Sequence, residues 1–255
     1  MDWLRSPINK DEHWLEIELL ILALSTGMID AVSYPKFHCF TSNQTGNTVL
    51  FAVSAFSAFG TRQETNQQIP APHLAVSLGF FCLGVFAGGQ TANALDSKAS
   101  RWWLLVSNIY TTVMVMLAAL LNFVFIPCDM VNTAPVLCSL GLLAFAAGSQ
   151  VAMSRQLSMP EIPTTQATAA YVDLFVDPLF FAPTARNRSR NRRLIFLLTL
   201  CAGSFIGGPV YKYHSSALAI FLAGLVKVVV TVMFFFNSES DKVRITWSNT
   251  PEAQP

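Results

Sequence analysis

Asp30, Asn108, Lys227 and the pair Asp173 and Asp177 are polar side chains set where chemistry is plausible. Asp30 lies near the end of the apolar run Leu15–Ser33, and Lys227 lies in the middle of the run Ala217–Phe236. A charge in hydrocarbon costs at least ~2.5 kcal/mol, so such residues turn inward and mark proton, cation or amine sites, or structural ion pairs. Lys227 is about ten residues from either end of its run, ~15 Å of helix, which is beyond the reach of its side chain. It is expected to face the interior, with Asp30 or Asp173 as partner. Asn108 is also in mid-run, about 120 residues earlier. Asp173 and Asp177 are one turn apart and so share a helix face. They either line a pathway or pair with Arg186, Arg188, Arg190, Arg192 and Arg193 at the membrane edge.

After Asp30 comes a turn at Tyr34-Pro35, and a short apolar segment then opens with Thr45-Gly46-Asn47 and runs to about Gly60. Glycine permits close backbone approach, and Thr45 or Asn43 can cap the new helix. The Asp30 carboxylate either takes a ligand here or caps that helix, whose free N–H groups carry partial positive charge. The candidate substrate-binding set is therefore Asp30, Thr45, Gly46, Asn47, Asn108, Asp173 and Lys227. Asn43-Gln44-Thr45 matches a glycosylation sequon but abuts the apolar run, and is read as accidental.

The elements that must hold these residues are membrane helices. Hydrophobic residues make up 53% of the chain and charged residues 12%, about half the charged share of a soluble domain. Long apolar runs recur at Leu15–Ser33, Leu74–Leu95, Trp102–Ile126, Ala134–Met153, Leu194–Val210 and Ala217–Phe236. Most approach the ~20 residues that cross a bilayer. The expected fold is all-α, a polytopic membrane bundle of eight helical segments: six crossings plus two short motif helices. Residues 1–13 and 237–255 are polar tails around a single transmembrane domain, 14–236. The first run carries Asp30 rather than a small-residue cleavage site, so it is expected to stay as an anchor.

The motif Gly27-x-x-Asp30-Ala31-x-Ser33-Tyr34, followed by Gln44-Thr45-Gly46-Asn47, resembles the signature of the YoaK family. These are multi-pass membrane proteins of unknown function found in bacteria and fungi. The stretch from Glu161-Ile-Pro-Thr to Tyr171-Val-Asp-Leu-Phe-Val-Asp-Pro178 resembles the fungal branch. The likeness spans roughly Leu19 to Phe236 and implies a fold without implying a reaction.

The second half of the chain echoes the first, which suggests repeats of about 14–126 and 132–236. Cys82-x-Gly84-x-Phe86-x-Gly88-Gly89 returns as Cys201-x-Gly203-x-Phe205-x-Gly207-Gly208, and Gly27-x-x-x-Ala31 returns as Gly148-x-x-x-Ala152. Asp30 aligns with Val151, so any site is expected to be asymmetric. Gly84/Gly88 and Gly203/Gly207 are helix-packing motifs, and the third and seventh helices are expected to touch through them on the repeat axis.

Basic residues orient the chain, with the five arginines cytoplasmic and both termini inside. If the two short helices turn back, Lys36, Arg62 and Lys212 alone remain outside; if they span, Lys98, Arg101 and Arg155 move out and Arg62 moves in. The charge bias favours the first arrangement and helix continuity the second. The second, with eight traversing segments, is the expectation.

The expected function is transport of a small solute or ion, with a site near the junction of the first two helices. The rival reading is a scaffold or sensor whose buried polar groups only fix packing. A net charge of +1 argues against a nucleic-acid partner. The four dispersed histidines, with no HExxH, nucleophile elbow or phosphate loop, argue against an enzyme. No cofactor or metal is expected. The scattered cysteines read as packing residues. The partners are the lipid bilayer and a small molecule or ion, and a homo-oligomer is compatible with the sequence.

Overall fold

Lipid offers the backbone no hydrogen bonds, so each apolar run closes its own as a helix. In the computed structural model, residues 13–57, 70–95, 100–125, 133–157 and 159–236 are described. The polar tails and the loop 61–68 lie outside them. The helices are α1 His13–Phe37, α2 Gln44–Ser57, α3 Ala71–Ala94, α4 Arg101–Phe125, α5 Ala134–Gln156, α6 Ala167–Phe175, α7 Arg188–Tyr213 and α8 Ser216–Phe235. α3, α4, α5, α7 and α8 are each long and apolar enough to cross a membrane. α1 is as long, at 25 residues, but carries Glu16, Glu18, Asp30 and Lys36.

The outer surface is apolar: Phe86, Phe123 and Phe205 are largely exposed, while Gln150, Asn108 and Lys227 are buried. That inversion of the soluble pattern is what a protein dissolved in lipid requires. α5 lies deepest, packed on α3 and α4, and α1 lies against α7 and α8.

Six long helices alternate in direction between two ends. At the arginine end, Leu15 and Leu19 of α1 meet Leu104 of α4, Leu157 after α5, Phe196 of α7 and Phe234 of α8. At the other end, which we call the α2 end, Phe37 and Cys39 meet Leu74 of α3, Ala118 of α4, Val136 of α5 and Ile220 of α8. Both outermost described helix termini, His13 and Phe235, therefore fall at the arginine end.

The end of α1 and the start of α3 lie at one end, and the end of α5 and the start of α7 at the other, so the chain makes no net crossing between the helices that flank α2 and α6, where eight traversing segments were expected. α2 starts beside Phe40, and the chain is at that same end again by His73, whose Nδ1 lies 2.7 Å from the Phe37 carbonyl oxygen. α6 has nine residues, about 14 Å of helix against the ~30 Å of a hydrocarbon core. It ends before Asp177, so Asp173 and Asp177 do not share a helix face.

The arginines also sit differently from the expected linker. Arg188 to Arg193 form the opening turns of α7, whose N-cap Asn187 accepts a hydrogen bond from Arg190 N at 2.9 Å.

The glycine motifs are contacts, but not with each other. A Cβ on Gly84 would fall on the Phe145 carbonyl oxygen of α5, and one on Gly203 would fall on the Leu24 carbonyl oxygen of α1. Gly88 faces Ala152, and Gly207 faces Met28. The expected α3–α7 contact through these faces is thus replaced by two crossings, α3 on α5 and α7 on α1. The reason is reciprocal smallness: Gly148 of α5 meets the Phe81 carbonyl and Gly27 of α1 meets that of Leu200, so each crossing has glycine on both sides.

Candidate functional site

Lys227 lies at mid-helix in α8 and is buried. Its Nζ donates to Gln150 Oε1 at 2.6 Å, and Gln150 Nε2 donates to Thr26 Oγ1 at 3.1 Å. Thr26 passes its own hydroxyl hydrogen to the Leu22 carbonyl at 3.0 Å. The interior placement expected for Lys227 holds. The partner differs: it is an amide oxygen, and neither Asp30 nor Asp173 bonds the ammonium.

Asn108 faces the same helix from α4. Its Nδ2 donates to the Lys227 carbonyl at 3.1 Å and to Thr231 Oγ1 at 2.8 Å. The two residues that the sequence set at equivalent places thus join α4 to α8. Among the described residues, Asn108 Oδ1 and Ser107 Oγ are buried without a hydrogen-bond partner.

Asp30, half-buried on α1, accepts from Thr41 Oγ1 at 3.2 Å and from Ser42 Oγ at short range. It therefore does not cap the Thr45-Gly46-Asn47 opening of α2. Asn43 Oδ1 takes the Gly46 N–H there instead, at 3.5 Å. The carboxylate holds the two residues that lead into α2, because two hydroxyls within reach satisfy it more directly than a helix end beyond them.

Asn47 closes the turn. Its Nδ2 donates to the Phe40 carbonyl at 2.6 Å and to Ser77 Oγ at 3.1 Å, while its Oδ1 accepts the Phe40 N–H at 2.9 Å. Wholly buried and fully hydrogen-bonded, it ties the α1–α2 turn to α3. Thr45 is exposed, and Gly46 lies against the Phe40 ring.

Between Asp30's hydroxyl partners and Lys227 is a cavity of about 20 Å³. Its polar lining is Thr26, Thr41, Ser42, Gln150 and Lys227, and its walls are aliphatic. A water needs ~10–15 Å³ measured in this way and two to four polar partners, so one water fits and an organic molecule does not.

Asp173 and Asp177 belong elsewhere. Arg193 pairs with Asp173 at 3.8 Å and with Asp177 at 3.7 Å. Asn187 donates to Asp177 at 2.9 Å; that bond, ahead of the Leu179 N–H and the nearby arginine charges, holds the Asp177 carboxyl below the usual carboxylate range. Glu16 of α1 takes Arg188 and Arg192. These contacts clamp α1 and the α6 segment to the start of α7.

Sequence reasoning passed over Gln150, Thr26, Thr41 and Ser42 as site members. The signal was present for Gln150, a polar residue within the apolar run Ala134–Met153, two positions after Gly148. The hydroxyl residues carry no such mark, since Ser and Thr commonly bond their own helix.

A family model described as a protein of unknown function, DUF1275, matches residues 19–233. The chain belongs to this family. That agrees with the YoaK-like signature around Asp30 and Asn47. In this DUF1275 chain Asp30 and Asn47 build the α1–α2 turn and its clamp on α3. No curated protein and no solved structure gives a significant match to it.

Proposed function

We propose that the chain is a carrier for a small solute or ion rather than an enzyme, with its site where the α1–α2 turn meets α5 and α8. The observation that carries this reading is the convergence of Lys227, Gln150, Thr26 and Asp30's partners Thr41 and Ser42 on one buried cavity. A packing role alone has no use for a lysine that faces, across a common space and without pairing, the two hydroxyls that serve a carboxylate.

The reading includes six crossings. α1 and α5 run in opposite senses, as do α3 and α7, and α4 and α8. We infer two inverted-topology repeats, with α2 and α6 as short helices on opposite sides, the arrangement from which many carriers build mid-membrane sites. The arginine end, which among the described residues carries Arg101, Arg155, Arg186, Arg188, Arg190, Arg192 and Arg193 against Lys36 and Lys212 at the other, is assigned to the cytoplasm.

Comparison of metabolite pools in cells with and without the protein, followed by uptake into proteoliposomes, tests the carrier. Asp30→Asn and Lys227→Gln should each abolish flux of the solute so found while the protein still inserts and stays monodisperse. Loss of assembly with no altered pool would favour the scaffold reading instead.

A further inference from the structure

The geometry points to a proton path between Lys227 and Asp30 through one water held in the cavity between them. This rests on the carrier reading for its use and names the proton as the coupling ion.

Among the described residues, Lys227 Nζ has a single hydrogen-bond partner, Gln150, though an ammonium has three N–H donors. The remaining donors belong to a residue that lines the cavity. Across the space, Thr41 and Ser42 are both buried, both line it, and both donate to Asp30. A hydroxyl that donates to a carboxylate still has lone pairs with which to accept. A water there would accept from Lys227, donate to Ser42 or Thr41, and meet the Thr26 hydroxyl, within the partner count that a buried water needs.

The step balances within the site. The Lys227 ammonium gives a proton to the water, the water gives one to the hydroxyl oxygen of Ser42, and that hydroxyl gives its own proton to Asp30. A neutral amine and a carboxylic acid replace an ammonium and a carboxylate. The site's net charge does not change, so the exchange needs no external reagent and no counterion.

The opposite half provides the contrast. Thr164 and Thr165 stand before α6 as Thr41 and Ser42 stand before α2, and both are buried. Their hydroxyls have no hydrogen-bond partner among the described residues. Val151 occupies the place of the acid, so the relay is confined to one half.

Among the described residues, the other titratable or charged side chains at this end are Tyr34, Lys36, His38 and Cys39 on and after α1, His73 on α3, and Tyr211 and Lys212 near the end of α7. His73 is taken by the Phe37 carbonyl, and Lys212 lies over the Tyr213 ring. Lys227 is the cation that shares the cavity.

The test is infrared difference spectroscopy of the full chain in nanodiscs, titrated in pH, with Asp30→Asn identifying the carboxylic acid band. In the wild type, that band should change together with a water O–H band that shifts in oxygen-18 water. In Lys227→Gln, the pH at which the acid band appears should move by at least about one unit. Ala146→Val, which fills the cavity, should remove the water band. A wild-type spectrum with no isotope-sensitive water band overturns the path even if Lys227→Gln fails to assemble. An unmoved acid midpoint in an assembled Lys227→Gln does so as well. The readout needs no substrate, so it stands or falls separately from flux.

Discussion

Lys227 Nζ lies 2.6 Å from the amide oxygen of Gln150, so the one cation at mid-membrane among the described residues is held by a neutral side chain. A carboxylate in that place would make a closed ion pair. An amide supplies a dipole, orients the ammonium, and leaves it able to respond to a second group. Gln150 in turn reaches Thr26, so one side chain sets the distance between α1, α5 and α8.

Gln150→Leu is expected to destabilise the protein by about 1–3 kcal/mol, since it leaves the ammonium and the Thr26 oxygen short of partners. The double variant Gln150→Leu with Lys227→Met should regain most of that loss, because both polar groups then leave together. Thermal unfolding in detergent across the four proteins of the cycle measures the coupling. Additive losses would mean that the contact is incidental.

The glycines separate into two classes that look alike in sequence. Gly203→Val should cost about 1–3 kcal/mol or prevent assembly, because the Leu24 carbonyl already occupies the position of a Cβ. Gly208→Val and Gly89→Val, at positions where nothing lies within 4 Å, should stay within about 0.5 kcal/mol. Equal effects at Gly203 and Gly208 would contradict the α1–α7 crossing.

Topology is decided by Ala71, the first residue of α3. Single cysteines at His38, Ala71 and His214 should all label from outside intact cells with an impermeant thiol reagent. Cysteines at Arg155 and Arg186 should label only after permeabilisation. Ala71 behaving like Arg186 would mean that α2 crosses.

The clamp at Asp177 predicts an acid-sensitive end. Its carboxyl is held below the usual range, so its contribution is present above the ordinary carboxylate pKa and lost as pH falls through the lowered one. Hydrogen exchange at Leu179 and at the first turn of α7 should therefore rise only at pH values below the ordinary carboxylate range. In Asp177→Asn, exchange there should be faster at neutral pH and lose that acid-dependent step.

Composition and run length determined that this is an all-helical membrane bundle, because the price of unpaired backbone in lipid leaves a 53% hydrophobic chain with little alternative. They also determined that Lys227 turns inward, since its distance from either helix end exceeds the reach of its side chain. Recurring glycines marked the faces that pack. Which helices those faces meet was decided only in three dimensions: small residues permit close approach without naming a partner, and the glycines of α1 and α5 turned out to complement those of α7 and α3. The same holds for Asp30 and Lys227. Sequence could say that each needs company, but the company is Ser42, Thr41 and Gln150, residues more than ten positions away whose meeting depends on how α1, α5 and α8 converge. The direction of α2 was likewise beyond reach, because a helix of fourteen residues suits a thin crossing and a return equally well, and the contact of His73 with Phe37 puts the start of α3 back at the end that α1 reached.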